Sequence, residues 1–342
     1  MQRDDGDRLA FTCPDAMVID SQQEAGPPKP AYEAPHRMII HPRHTSVWIL
    51  LFSIKGSIIP AIWRKVLFTV LISSAVVAAH GTLYLHEVTL TATPFTLWGL
   101  TLAIFLAFRN TVAYQRFWEA RTLWGELLIV TRNLTRQSLT LLPALSAQER
   151  LSLANTPVGF SYVLKDALRG VPPSADAERL LDDAARQETL GKQNPPNALL
   201  GLIGRRFAGQ ARRCGADAIV QVEIDQQLTR LSYVLGGCER IKNTPIPYPY
   251  ILMLHRIVHI YCFLLPLCLV DSLGWFTPFA VCVLAYTFFG LDALGDQIAD
   301  PFDTRPNDLP LDAICRGIEI STLELLDRPA PMPRQAHDGV LL

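Results

Sequence analysis

The residues with the chemistry to bind or react are few. His255 and His259 in "HRIVH" stand at i, i+4, so a helix would put both on one face, where two imidazoles can share a metal. The Glu of an H-E-x-x-H metal site is absent and no third ligand is evident, so interfacial or packing histidines are the better reading. The acidic stretch "DQIADPFDTRPNDLPLD" (residues 296–312) supports two readings: an oxygen-rich cation site, or a solvated, capped turn, which Pro301, Pro306 and Pro310 favour. Seven cysteines lie scattered at 13, 214, 238, 262, 268, 282 and 315 without a C-x-x-C pair, and form neither a zinc set nor a disulfide framework. No Gly-rich phosphate loop, Walker sequence or G-x-S-x-G is present. These residues do not assemble into an enzyme, and no cofactor or metal is expected.

The elements that would carry them are strongly apolar. The 342 residues are 49% hydrophobic and 18% charged, against about a quarter charged in a soluble globular chain. Lys and Arg total 31 and Asp and Glu 32, a net charge of -1, so the basic face of a nucleic-acid binder is not expected. "VLFTVLISSAVVAAHGTLYL" (66–85) is long enough to cross a bilayer, which takes about 20 residues. "TPFTLWGLTLAIFLAF" (93–108) is shorter, uncharged and continuous with Arg109, Arg116, Glu119 and Arg121: a helix that leaves the bilayer and continues in water. "IVHIYCFLLPLCLV" (257–270) and "WFTPFAVCVLAYTFFGL" (275–291) form a second pair, joined only by "DSLG".

Lys55, Arg64 and Lys65 precede the first span, Arg109, Arg116 and Arg121 follow the second, and Arg240 and Lys242 precede the third. The short connections 81–94 and 271–274 carry no Lys or Arg. The positive-inside rule therefore puts both termini and the central region in the cytoplasm. The start, "MQRDDGDRLAFTC", has no apolar core, so no cleaved leader is expected. The organisation expected is a disordered tail (1–36), an amphipathic membrane-approach segment (37–65), transmembrane helices 1 and 2 (66–108), a cytosolic helical region (109–247), transmembrane helices 3 and 4 (248–291) and a cytosolic C-terminal segment (292–342). Within the cytosolic region "SAQE" (146–149) reads as a capping box and "ADAERLLDDAARQ" (175–187) as one helix.

Four stretches carry a resemblance to a known family: "KGSIIP" (55–60), "FRNTVAYQRFWEARTLWGELL" (108–128), "GCERIKNTPIPYPYILMLHR" (237–256) and "DPFDTRPNDLPLDAICRGIEISTLELL" (300–326). Together with the four-span plan the chain resembles the bestrophin family in its bacterial branch, over about residues 38–328. The resemblance implies an all-α membrane protein with four transmembrane helices per subunit and a large cytosolic helical region. It implies a homopentamer around a central pore in the bacterial inner membrane, with the lipid bilayer, further copies of the chain and small inorganic ions as partners. It implies a pore neck of Leu100, Ile104 and Phe108, set by aligning Arg116-Phe117-Trp118, and an aperture at Ile219, with Ala218 and Val220 as neighbouring alternatives. Animal members hold calcium in a clasp of consecutive acids. Here Asp300, Asp303 and Asp308 remain, but Thr304 and Arg305 stand where acidic ligands are expected, so calcium activation is not expected. The implied function is passive conduction of small monovalent ions, anion or cation; a secondary transporter and a membrane-anchored scaffold are the alternatives.

Residues at i, i+4 on an α-helix advance by only about 40°, so Leu100, Ile104 and Phe108 share an arc of roughly 80°. The same geometry puts Arg109 about 180° from Leu100 and Arg116 about 160° from it, facing away from that stripe.

Overall fold

The computed structural model describes residues 57–84, 92–305 and 307–334, and every regular element among them is helical. The expected disordered tail, and all of the membrane-approach segment before residue 57, lie outside the described residues. In chain order the helices are α1 (Ile59–Tyr84), α2 (Ala92–Thr140), α3 (Ala147–Arg169), α4 (Ala175–Leu180), α5 (Asp183–Thr189), α6 (Pro195–Arg213), α7 (Ala218–Asn243), α8 (Tyr248–Leu273), α9 (Thr277–Ile298) and α10 (Leu311–Leu325).

Among the described residues, three continuous stretches are long and apolar enough to cross a membrane: Ile59–Ala79, Thr93–Thr140 and Tyr248–Ile298. The third is folded in two, because α8 and α9 are separated by a short 3-10 turn, Gly274–Phe276. Gly274 takes φ +50° there, a conformation glycine adopts at no steric cost. The turn thus begins at the last residue of "DSLG", and Asp271, Ser272 and Leu273 belong to α8. Four helices, α1, α2, α8 and α9, pack into one membrane body around Ile62, Leu102, Leu106, Leu254, Val258, Val281 and Phe289.

The first apolar helix begins at Ile59, inside the segment expected to approach the membrane. Arg64 and Lys65 do not interrupt it, because their long stems let the charges lie against aromatic faces. The Lys65 ammonium stands 5.7 Å from the Phe289 ring centre and the Arg64 guanidinium 5.5 Å from that of Trp63.

α2 is 49 residues long, about 74 Å at 1.5 Å per residue and more than twice the ~30 Å hydrocarbon core. It has to leave the bilayer, and its packing changes where it does. Leu102 and Leu106 belong to the membrane core, whereas Leu123, Trp124, Leu127 and Leu134 belong to a second core with α3, α6, α7 and α10. Among the described residues α2 alone contributes to both cores.

The capping box forms at Ser146 and Glu149 and starts α3. The stretch 175–187 is two helices rather than one. Leu181 is extended and Asp182 caps α5, accepting a hydrogen bond from the Ala185 amide at 2.9 Å. Buried charges then pin α10 to α3. Lys165 Nζ lies 2.6 Å from Asp312 and Arg169 2.6 Å from its other oxygen, while the Tyr162 hydroxyl donates to Glu319 at 2.9 Å.

Candidate ion pathway

Leu100, Ile104 and Phe108 lie on one side of α2 and are 61%, 48% and 63% exposed. Leu102 and Leu106, on the same helix, are 2% and 0% exposed. The chain therefore covers one side of α2 and leaves a stripe of large apolar side chains bare on the other.

Arg109 explains why the helix holds that orientation. It is 1% exposed and turned away from the stripe, as its angle demands. Its guanidinium reaches α9, donating to Asp292 Oδ1 at 2.7 Å and pairing with Asp296. Asp292 and Asp296 are i, i+4 on one face of α9, with Gly295 between. A Cβ at Gly295 would collide with the Asn110 side-chain oxygen and stand 3.5 Å from the guanidinium carbon, so the glycine leaves room for both side chains against α9. His255 of α8 closes the cluster, with Nδ1 2.6 Å from Asp292 Oδ2 and Nε2 3.3 Å from Asp296 Oδ2.

The two histidines of "HRIVH" do not share a ligand. His259 donates back to the His255 carbonyl at 2.6 Å, and its ring packs against Phe289 and Phe263 at 5.0 and 6.0 Å. His259 is a packing residue; His255 belongs to a charged quartet. The acids of that quartet were legible in part, because "GLDALGDQI" carries two carboxylates at i, i+4 immediately after an apolar run.

One turn pair further along α2, Arg116 donates to the carbonyls of Ile241 at 2.6 Å, Thr244 at 2.5 Å and Ala299 at 3.1 Å. Thr244 and Ala299 close α7 and α9, so Arg116 satisfies the carbonyl ends of two helices and sits where their dipoles are negative. Ile219 is 74% exposed in the first turn of α7, whose cap is Asp217, accepting from the Val220 amide at 2.8 Å. Ala218 is exposed too, whereas Val220 packs partly against the cytosolic core.

The acidic stretch disperses instead of converging. Asp300 faces Lys242 at 3.2 Å, Asp303 faces Arg305 at 3.4 Å, and Asp312 is taken by Lys165 and Arg169. Asp308 is 3% exposed; its Oδ2 accepts the Arg305 amide at 2.7 Å and its Oδ1 has no partner. Burial pushes its carboxyl up to about 6. Calcium wants six to eight oxygens, and one orphaned carboxylate oxygen beside Arg305 does not supply them. The residues present do not fit that ion.

The family described as Bacterial/Fungal Bestrophin protein matches residues 38–324. The chain belongs to that family. A voltage-dependent anion channel-forming protein of Mesorhizobium japonicum is 39% identical over 303 residues, 88% of this chain and 96% of the relative. The Escherichia coli voltage-dependent anion channel-forming protein YneE is 39% identical over 292 residues, covering 85% and 94%. A crystal structure of a variant bacterial bestrophin homologue from Klebsiella pneumoniae superposes with a TM-score of 0.75 at 40% identity, covering 80% of this chain and 99% of that one. This bestrophin-family chain is an ion-channel membrane protein, not an enzyme.

Proposed function

We propose that the chain forms a homopentameric channel conducting small monovalent ions passively across the bacterial inner membrane, with both termini cytoplasmic. Leu100, Ile104 and Phe108 of five copies form three stacked apolar rings, the neck, and Ile219 forms a second constriction, the aperture. The observation that carries this reading is the bare apolar stripe on α2, held outward by the Arg109 anchor on its far side. Rings of this kind offer a hydrated ion no replacement ligands and close by dewetting, so the neck gates more than it selects.

Orientation has its own support. Lys65 lies against Phe289, Ile58 and Ile62 lie beside Gly290, and Arg109 and His255 meet Asp292. The start of α1, the emerging part of α2, the start of α8 and the end of α9 thus share one level, and Lys65, Arg109 and Arg116 stand on that side.

Cysteine accessibility tests the pathway. Single Leu100→Cys, Ile104→Cys, Phe108→Cys and Ile219→Cys channels are expected to be blocked by a water-soluble thiol reagent, and Leu102→Cys and Leu106→Cys to be unaffected. Equal modification of both sets would place the pore elsewhere. Reversal potential in asymmetric salt then reads the sign of the preferred ion.

A further inference from the structure

Arg109 takes one oxygen from each of two carboxylates, Asp292 Oδ1 and Asp296 Oδ1. The second oxygens of both converge on a single imidazole, at 2.6 Å from Nδ1 and 3.3 Å from Nε2 of His255. A neutral imidazole has one N–H and can satisfy only one of them. The other oxygen then faces a bare nitrogen lone pair, acceptor against acceptor. Two carboxylates against one guanidinium also leave one negative charge over. One more positive charge at the ring, a second ring proton or a metal ion in its place, satisfies both oxygens and balances the cluster.

We propose that His255, Asp292 and Asp296 form a binding site for a divalent transition-metal ion of the zinc class, with Arg109 as the fixed counter-charge behind the two carboxylates. One ring nitrogen and one oxygen from each acid already lie within 4.8 Å of one another. Tetrahedral zinc with bonds of about 2.0–2.1 Å needs its ligand atoms about 3.3 Å apart. The remaining closure falls on Asp296, whose side chain is 41% exposed in the last turns of α9. Asp292, at 1% exposed, is the rigid ligand. The ion takes the lone pair of one ring nitrogen while the other nitrogen keeps its N–H; a doubly protonated ring gives up one proton to solvent as the ion binds. Water fills the fourth position, because His255 and Asp296 keep an open side. The donor set fixes the class: imidazole with carboxylate suits zinc, cobalt or nickel, whereas calcium and magnesium want oxygen alone. The site rests on how α2, α8 and α9 pack and is independent of which surface lines the pore.

The test is cobalt and zinc binding to the full-length chain in detergent after chelator stripping, read by metal analysis and by the visible spectrum of tetrahedral cobalt. His36, His41 and His44 lie in the segment before residue 57, so the decisive quantity is the difference between wild type and variants. Wild type is expected to bind one more ion per chain than Asp296→Asn or His255→Gln, or to bind it more than about tenfold tighter, the least that losing a direct ligand should cost. His259→Gln is expected to bind like wild type. Asp296→Asn leaves the Arg109–Asp292 pair intact, and unchanged elution on size exclusion reports its folding. Equal binding by wild type and both ligand variants, or displacement of zinc by equimolar calcium, would overturn the proposal.

Discussion

Arg109 shows how much of this molecule depends on single side chains. It is fully buried against Asp292, and its removal leaves two carboxylates, Asp292 and Asp296, with His255 as their remaining partner. Breaking a buried ion pair from one side costs about 3–5 kcal/mol. Arg109→Ala should therefore lower the thermal midpoint of the solubilised protein by several degrees, and adding Asp292→Asn should recover part of the loss. A midpoint equal to wild type would show that the pair carries no weight. Asp308 makes the opposite prediction. Its carboxyl is raised to about 6 by burial, from an ordinary 3.8. The folded state thus prefers it protonated, so its contribution to stability is whole below about pH 4 and is lost as pH rises through about 6. Asp308→Asn keeps an acceptor for the Arg305 amide without the charge. It should raise the thermal midpoint at pH 8, by on the order of 2–3 kcal/mol in stability, and leave it unchanged near pH 4. At this scale the sequence was half legible. The helical period turned Arg109 away from the stripe, and the structure agrees. Its partners Asp292, Asp296 and His255 were not readable as partners, because a contact across more than 140 residues leaves no trace in a local period.

Among the elements, α2 does most to organise the chain, since it joins two cores and meets α7 along its lower half. Gly237 of α7 is the tight point. A Cβ there would stand 2.7 Å from a methyl of Leu123. Gly237→Val should cost about 1–3 kcal/mol by overpacking, measured as a lower thermal midpoint, with Gly236→Val, whose Cβ meets nothing, as the control. The existence and type of the long helices were plain in the apolar runs, and their ends were less so. The start of α1 was obscured by Arg64 and Lys65, whose charges sit over aromatic rings while their stems stay in the helix. The break at Leu181 was obscured because "ADAERLLDDAARQ" keeps its helical spacing, and only the Asp182 cap, together with its ion pair to Arg206 at 2.7 Å, selects two helices. The metal-like spacing of "HRIVH" was rightly set aside for His259: two side chains on one helical face converge only if their neighbours let them, and Phe289 and Phe263 take His259 instead.

At the scale of the whole molecule, the bare stripe on α2 decides the account. A chain that buries Leu102 and Leu106 completely while leaving Leu100, Ile104 and Phe108 about half exposed or more has left that face for something other than its own core. In the proposed channel that face lines the axis of a pentamer. The most direct measurement is single-channel recording of the Leu100→Ala, Ile104→Ala, Phe108→Ala triple variant in planar bilayers, with assembly confirmed by size. The account predicts a wider, wetter neck: larger unitary current or higher open probability from an intact pentamer. Unchanged conductance and open probability in an intact pentamer would show that this face of α2 does not line the pore.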